Sequence, residues 1–331
     1  MGLVTNTVTT YASSKSIRED LSNIIYNIDP TDTPLMSNIK RDTSNQPHFE
    51  WQTDGLAVPN TNNAVIEGDD APAVDTYVPT NKVGNYTQIS RKTVMVSGSD
   101  EKAKMAGIKS MLGYRISQAS KELKRDMEAT LTSDQVAVVG NNSTARRTAA
   151  LGSWIITNWY QVATSGSPAA PQMSSGSDGY PSTAAVDGTT PVAFAVSHLK
   201  NMIQKVYTAG GDIPGSFVMV GPHNKTVVSS FNGIATPFRD VPAGKQAQII
   251  GAADVYVSDF GTFNIVPNRF QPENRAYMVD PSMLAVTYFR PFEVVPLAKT
   301  GDATKRMLIV EYGLRSKNEK GLGTVRGLAT S

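Results

Sequence analysis

The chain has 331 residues, 40% of them hydrophobic, a formal net charge of +2 and no cysteine. That size and apolar content allow one large domain or two ordinary ones with a real core, and the near-neutral balance excludes a chain that holds nucleic acid or acidic partners by bulk charge. Without cysteine there is no disulfide, thiolate nucleophile or cysteine-ligated metal, which fits assembly in a reducing compartment.

Residues 1–11 are polar and threonine-rich, with neither the basic start nor the apolar centre of a signal peptide. No apolar run approaches the length needed to span a bilayer, about 18 residues. The expectation is a soluble protein made in a cytoplasm, without a membrane partner. Residues 1–45 read as an arm. Ile17, Leu21, Ile24, Ile25 and Ile28 fall at helical spacing. Asp29-Pro30 ends that helix, and a turn and a short apolar patch follow at Leu35-Met36. Such a thin arm cannot bury its own apolar face and must dock on the body or on another chain.

Residues 46–98 alternate strand and turn. His48-Phe49-Glu50-Trp51-Gln52 and Tyr86-Thr87-Gln88-Ile89-Ser90 have period-two patterning. Residues 42–81 carry seven acidic residues and no Lys or Arg. The expectation is a long, protruding β-hairpin with an acidic tip, or else a solvated loop; long connections of this kind usually have a function.

The next stretch, residues 99–131, is expected to be one continuous helix. Ile108, Leu112, Ile116, Ala119, Leu123, Met127 and Leu131 recur at steps of three and four. Ser97 or Ser99 can cap its start, Asp100 and Glu101 suit the first turn, and Lys124 and Glu128 are spaced as an i,i+4 pair. At 1.5 Å per residue the strut would be roughly 50 Å long.

Residues 132–163 hold short apolar pieces, and 18 of the 28 residues in 164–191 are Gly, Ser, Thr or Pro, as in a surface loop or insertion. Residues 192–331 read as a mixed body. Helices are expected over 192–207 and from Pro222 to about Phe231, with proline in the first turn of the second. Strands are expected at 217–220, 255–257, 263–266, 276–279, 284–289, 292–297 and 307–312.

Little here suggests catalysis. His48, His198 and His223 lack metal-ligand spacing. There is no nucleophile elbow, phosphate loop or dinucleotide fingerprint. Val241-Pro242-Ala243-Gly244-Lys245 carries only a fragment of a phosphate loop and reads as a flexible polar segment, while residues 268–275 could be a binding loop or a turn with solvated arginines. No catalytic, cofactor or metal residue is assigned. Charge is more informative. Residues 1–100 carry 7 basic and 12 acidic residues, residues 101–150 carry 9 and 5, and residues 299–331 carry 7 and 3. The hairpin acids Glu67, Asp69, Asp70 and Asp75 are therefore expected to meet Lys121, Lys124, Arg125, Lys317 and Lys320 of a neighbouring copy.

Several stretches carry a family resemblance. They are Asp29-Pro30-Thr31-Asp32-Thr33-Pro34-Leu35, then Arg146-Arg147-Thr148-Ala149 with residues 152–158. Further on come Val257-Ser258-Asp259-Phe260-Gly261, Val266-Pro267-Asn268-Arg269-Phe270, Leu297-Ala298-Lys299-Thr300-Gly301-Asp302 and Glu311-Tyr312-Gly313-Leu314. In this order they resemble the tailed-phage major capsid proteins of Hong Kong 97 type, within the SU-ten-like group; residues 160–191 have no counterpart and read as an insertion. The resemblance implies an α+β shell subunit, with residues 1–45 as N-terminal arm and 46–98 as the extended loop across an adjacent subunit. Residues 99–191 would begin a peripheral domain on a spine helix 99–131, 192–285 would form an axial domain, and 286–331 would return to the peripheral domain. It also implies hexamers and pentamers of the chain itself and nonspecific contact with packaged double-stranded DNA. Scaffolding, portal and decoration proteins would be separate partners. An encapsulin-like compartment or a tail-tube protein are the alternatives; the C-terminal motifs favour a viral head protein.

Overall fold

The computed structural model describes residues 30–68, 79–103, 105, 107–176, 178–211, 214–231, 255–299 and 301–330. The expected arm helix around residues 17–28, the acids Asp69, Asp70 and Asp75 and the segment 241–245 lie outside these residues.

Two cores form on the two faces of one sheet. The strands of this sheet run in the order β5 (Trp159–Gln161), β14 (Gly323–Arg326), β11 (Arg275–Val279), β8 (Phe217–Val220), β10 (Gly261–Pro267) and β9 (Val255–Ser258). The middle strands β14, β11 and β8 are buried along their whole length, as strands covered on both faces must be. Alternation then sorts their side chains. Val218, Val220, Ala276 and Met278 join a core with helix α5 (Val196–Thr208) and Val228 of helix α6 (Pro222–Ser229). Phe217, Met219, Tyr277 and Val279 enter the other core.

That second core is closed by helix α3 (Met111–Leu131) and by a sheet ordered β1 (Lys40–Thr43), β12 (Leu284–Pro296), β13 (Ala303–Ser316) and β4 (Gln88–Ser97). Helix α1 (Pro34–Asn38) adds Leu35 and Met36 to it. Strand β12 runs through the two strands expected at 284–289 and 292–297, with register shifts between Tyr288 and Glu293. A third sheet takes β2 (His48–Thr53), β3 (Asn81–Tyr86), β7 (Asp178–Thr183) and β6 (Gln172–Ser175). Thus the Gly/Ser/Pro-rich segment is not only a loop: it supplies a hairpin that joins β3 through Val83 and Gly179. The boundaries expected at 192 and 286 do not divide the sheets, because β5 and β14 belong to the sheet of β8–β11.

The single long helix is a correction. Helix α2 (Gly98–Lys102) stops at Lys102, and α3 starts again at Met111. Between them Gly107 has φ +74°, a left-handed conformation that interrupts a helix, and Met105 bridges Ile108. A cap at each start explains the restart. Ser97 Oγ accepts from the Asp100 N–H, and Ser110 Oγ accepts from the Gly113 N–H at 3.1 Å. Glu101 then reaches forward to accept from the Leu112 N–H at 2.9 Å. These acceptors satisfy backbone donors that a helix start leaves open. The strut is therefore the 21 residues of α3, roughly 31 Å long. Its stripe is buried at Ala119, Leu123, Met127 and Leu131; Ile108 is not part of it.

The hairpin expected at 46–98 is also shorter than its sequence. Antiparallel pairing runs from His48–Tyr86 to Thr53–Asn81 and stops. Residues 54–68 and 79–80 have no strand partner. Thr87 breaks the chain between β3 and β4, so the expected strand 86–90 straddles two sheets.

Gly313 of β13 lets the Phe49 ring lie directly on the strand; a Cβ there would stand 2.7 Å from the ring. Gly313→Ala is expected to cost about 1–3 kcal/mol by overpacking, read as a lower denaturation midpoint in urea with an unchanged slope.

Candidate assembly interface

Between its two strands the hairpin carries a group of highly exposed apolar side chains, the three most exposed of the described residues among them. Leu56, Val58, Val65 and Ile66 are 72–102% exposed. They sit in a polar stretch without helix or strand periodicity, so a search for amphipathic elements passes over them. Glu67 follows directly and is exposed.

The foot of this loop is held firmly. Phe49 and Trp51 project from the same side of β2. The Arg315 guanidinium lies 5.5 and 5.7 Å from their ring centroids, and Arg315 also pairs with Asp42. Trp51 meets Trp154 of helix α4 (Leu151–Trp154) at 5.4 Å between centroids. On β3 the buried Asn85 donates to the Ala149 and Leu314 carbonyls and accepts from the Ala149 N–H at 2.8 Å. Just beyond it the Thr87 hydroxyl donates to the buried Glu311 carboxylate at 2.6 Å. Glu311 also accepts from Arg290 at 2.9 Å and from Arg146.

A cavity of about 730 Å³ opens at this foot. Gln52, Gly55 and Asn81 line it where the loop leaves the body, and Trp154, Ile156 and Met173 give it an apolar wall. Lys317 and Lys320 stand exposed in its lining. Glu319 lies beside them but accepts from the Ile156 and Thr157 N–H groups at 3.2 and 3.1 Å and from the Thr157 hydroxyl.

The five basic residues expected to receive the acidic loop therefore fall in two settings. Lys317 and Lys320 share this cavity. Lys121 and Lys124 are exposed on α3, while the Arg125 guanidinium stacks over Phe270 at 5.5 Å. The α3 charges have acids close by: Lys92 bridges Asp126 at 2.9 Å and Glu122 at 3.7 Å. The expected Lys124–Glu128 pair is not made. Glu128 points into the core and accepts from the Leu35 and Met36 N–H groups at 2.7 and 3.0 Å and from the Asn268 amide at 2.8 Å. It thereby caps α1 and fixes the end of the arm to α3. Burial raises its pKa, although the three donors oppose the rise.

Residues 268–275, read as a binding loop or a turn with solvated arginines, form a turn-containing connection of which one arginine is solvated and the other is not. Asn268, Gln271 and Arg275 are buried; Arg269 alone of the two arginines is exposed. Arg275 lies opposite Arg326 in the β11–β14 register. Two carboxylates sit with them. Asp134 pairs with both guanidinium groups, and Asp187 accepts from Arg326 Nε at 2.6 Å and Arg275 Nη2 at 3.1 Å. Burial pushes the Asp134 carboxyl up, but the two arginines outweigh it and hold its pKa below the usual value. Beside them the fully buried Tyr277 is pushed up to about 12 by burial. Nothing in the sequence signals this cluster, because its members are joined only by strand register and a long loop.

The histidines stay apart. His48 stacks on Tyr86 at 4.3 Å, and His198 Nδ1 accepts from the Ala195 N–H at the start of α5. Among the described residues no group of three or more His, Cys, Asp or Glu side chains could hold a metal, and no helix is long and apolar enough to cross a membrane.

The profile of the SU10 major capsid protein family matches residues 3–329. A major capsid protein of Escherichia phage Phieco32 is 28% identical over 333 residues, covering 92% of each chain. The capsid asymmetric unit of cyanophage A-1(L) superposes with a TM-score of 0.67 at 14% identity, over 98% of this chain and all of that one. An encapsulin complex from Synechococcus elongatus superposes with a TM-score of 0.56 at 9% identity, over 98% and 97%. These superpositions show a Hong Kong 97-type α+β fold.

Arg326→Met removes a fully buried guanidinium and leaves two partly buried carboxylates with one arginine, and is expected to cost about 1–3 kcal/mol, measured by chemical denaturation. For Glu128 the sign of the pH dependence follows from its raised pKa. Its protonated form is favoured in the folded state. The stability of the native protein relative to Glu128→Gln should then fall as pH climbs from the ordinary value of 4.5 through the folded-state value, and level off on either side. Paired thermal melts across that range read the difference.

Proposed function

Since the chain belongs to the SU10 major capsid protein family and is a major capsid protein of a tailed phage, we propose that its apolar-tipped loop lies across an adjacent copy and that repetition of this contact builds the shell. The observation that carries this reading is the row of exposed apolar side chains Leu56, Val58, Val65 and Ile66 on a loop whose foot is rigidly held. A body complete in itself supports a loop of this kind only at the cost of exposed apolar surface, which a partner removes.

Magnitudes rank the forces. A fully buried aliphatic side chain contributes about 1.5–3 kcal/mol, whereas an exposed ion pair contributes about 0.2–1 kcal/mol. The apolar residues thus supply the affinity. The acids Glu67, Asp69, Asp70 and Asp75, facing Lys121, Lys124, Arg125, Lys317 or Lys320 of the neighbour, supply orientation. Heterologous contacts of one kind close into rings. The rings are hexamers and pentamers, and together they close an icosahedral shell around double-stranded DNA. In that frame residues 1–45 are the arm and 46–98 the extended loop. Residues 99–191 and 286–331 form the peripheral domain, and 192–285 form most of the axial domain at the capsomer centre. Contact with packaged DNA is phosphate-directed and salt-sensitive. Scaffolding, portal and decoration proteins are separate chains, and assembly takes place in the host cytoplasm.

The protein expressed alone should yield shells, capsomers or sheets by negative-stain electron microscopy; a monomer that persists with scaffold or crowding agent present overturns the reading. Leu56→Ser with Ile66→Ser should abolish closed shells while leaving the thermal melt of the subunit unchanged. Reversing Asp69, Asp70 and Asp75 to lysine should impair assembly most at low salt, and unchanged assembly would remove the electrostatic part.

A further inference from the structure

The cavity at the hairpin foot is unfilled by its own loop. Val65 and Ile66 stand in solvent, while the apolar wall of Trp154, Ile156 and Met173 is open. Its volume of about 730 Å³ falls within the range of sites that enclose a ligand, about 300–1,000 Å³. That is room for a few aliphatic side chains, not for a domain.

Charge selects the occupant. Among the described residues neither Lys317 nor Lys320 has a carboxylate partner. The two carboxylates in the same lining are already engaged: Glu319 with the 156–157 backbone, and Asp54 Oδ1 with the Gly55 N–H at 2.9 Å. The cavity thus presents an apolar wall and, among the described residues, two ammonium groups without an ion-pair partner, beside two carboxylates already bonded to backbone N–H groups. A matching segment is an aliphatic pair followed by carboxylates. This chain carries one: Val65-Ile66 followed by Glu67, with Asp69 and Asp70 after it in the sequence.

Geometry makes the contact one between copies. The twelve residues from Gly55, in the cavity lining, to Glu67 span at most about 40 Å when extended. None of residues 56–68 lines the cavity of its own chain, and Val65 and Ile66 stand exposed, which leaves the cavity open to the same segment of a second copy. We infer that the hairpin-foot cavity receives Val65, Ile66 and Glu67 of a second copy of this chain, with Glu67 against Lys317 and Lys320. The relation is head to tail, the loop of each copy seated in the foot of the next. It rests on the loop-across-neighbour reading above and adds which surface is used.

The absence of cysteine gives a clean test. Glu67→Cys and Lys320→Cys are placed in one chain, assembled under reducing conditions, checked for shells by microscopy and then oxidised. A disulfide needs Cα atoms within about 7 Å. The expected result is a denaturing-gel ladder of covalent multimers ending at the ring size. Glu67→Cys with Lys124→Cys should give no ladder. Shells that form but give no 67–320 ladder, a 67–124 ladder, or a disulfide confined to single chains each overturn the inference while leaving shell formation intact. Native protein that forms no assembly at all overturns the loop-across-neighbour reading and this inference with it. Should the cysteine variants fail to assemble, charge reversal decides. Lys317→Glu with Lys320→Glu should raise the critical concentration for assembly by roughly three- to tenfold at low salt, and Lys121→Glu with Lys124→Glu should leave it unchanged. The reverse order overturns the inference.

Discussion

Two arginines placed directly opposite each other on adjacent buried strands should repel, and the fold depends on how that repulsion is removed. Arg275 on β11 and Arg326 on β14 are register partners, and both are buried. Like charges in that position destabilise a sheet. Asp134, just beyond the end of α3, and Asp187, near the end of the Gly/Ser/Pro-rich segment, neutralise them from outside the sheet. The central sheet therefore cannot assemble in this register unless the turn after α3 and the segment 164–191 are both in place. A buried network of this kind is weak evidence for net stability; its effect here is to make distant pieces of chain mutually dependent. Gly152 shows how closely they fit, since a Cβ there would stand 1.9 Å from Asp134 Oδ1.

Glu128 plays a similar part for the N-terminal side. A carboxylate on the core face of α3 costs desolvation, which two backbone donors of α1 and the Asn268 amide offset only in part. The result joins three remote segments through one side chain. With these ties, the polar foot of the hairpin at Asn85, Thr87 and Glu311 is hydrogen-bonded within the body. The loop above it leaves Leu56, Val58, Val65 and Ile66 exposed, and Lys317 and Lys320 stand exposed at its foot.

The fold alone does not single out a family, since the chain superposes on an encapsulin complex as well as on phage capsid structures. What separates the readings is the family match across residues 3–329 and the relative from a phage head. Function in such a chain lies in the geometry of repeated contacts, so a search for catalytic constellations finds little in it.

The sequence by itself determined the local elements with strong periodicity: the buried strand 217–220, helix α5, helix α6 with its N-terminal proline, and the apolar stripe of α3 from Ala119 to Leu131. Short-range sterics and burial patterns suffice for these. It also carried the family motifs and the charge asymmetry. Several features were decided only by the tertiary structure. A 3.6-residue pattern reads through Gly107, because periodicity does not register a left-handed residue. Glu128 looks like half of a surface ion pair until α1 and Asn268 are folded against it. The Arg275–Arg326 cluster and strand β14 depend on register between segments about 50 residues apart. The cavity with Lys317 and Lys320 exists only once β2, α4 and residues 316–320 converge. Long-range pairing places these groups, and no local pattern in the chain encodes it.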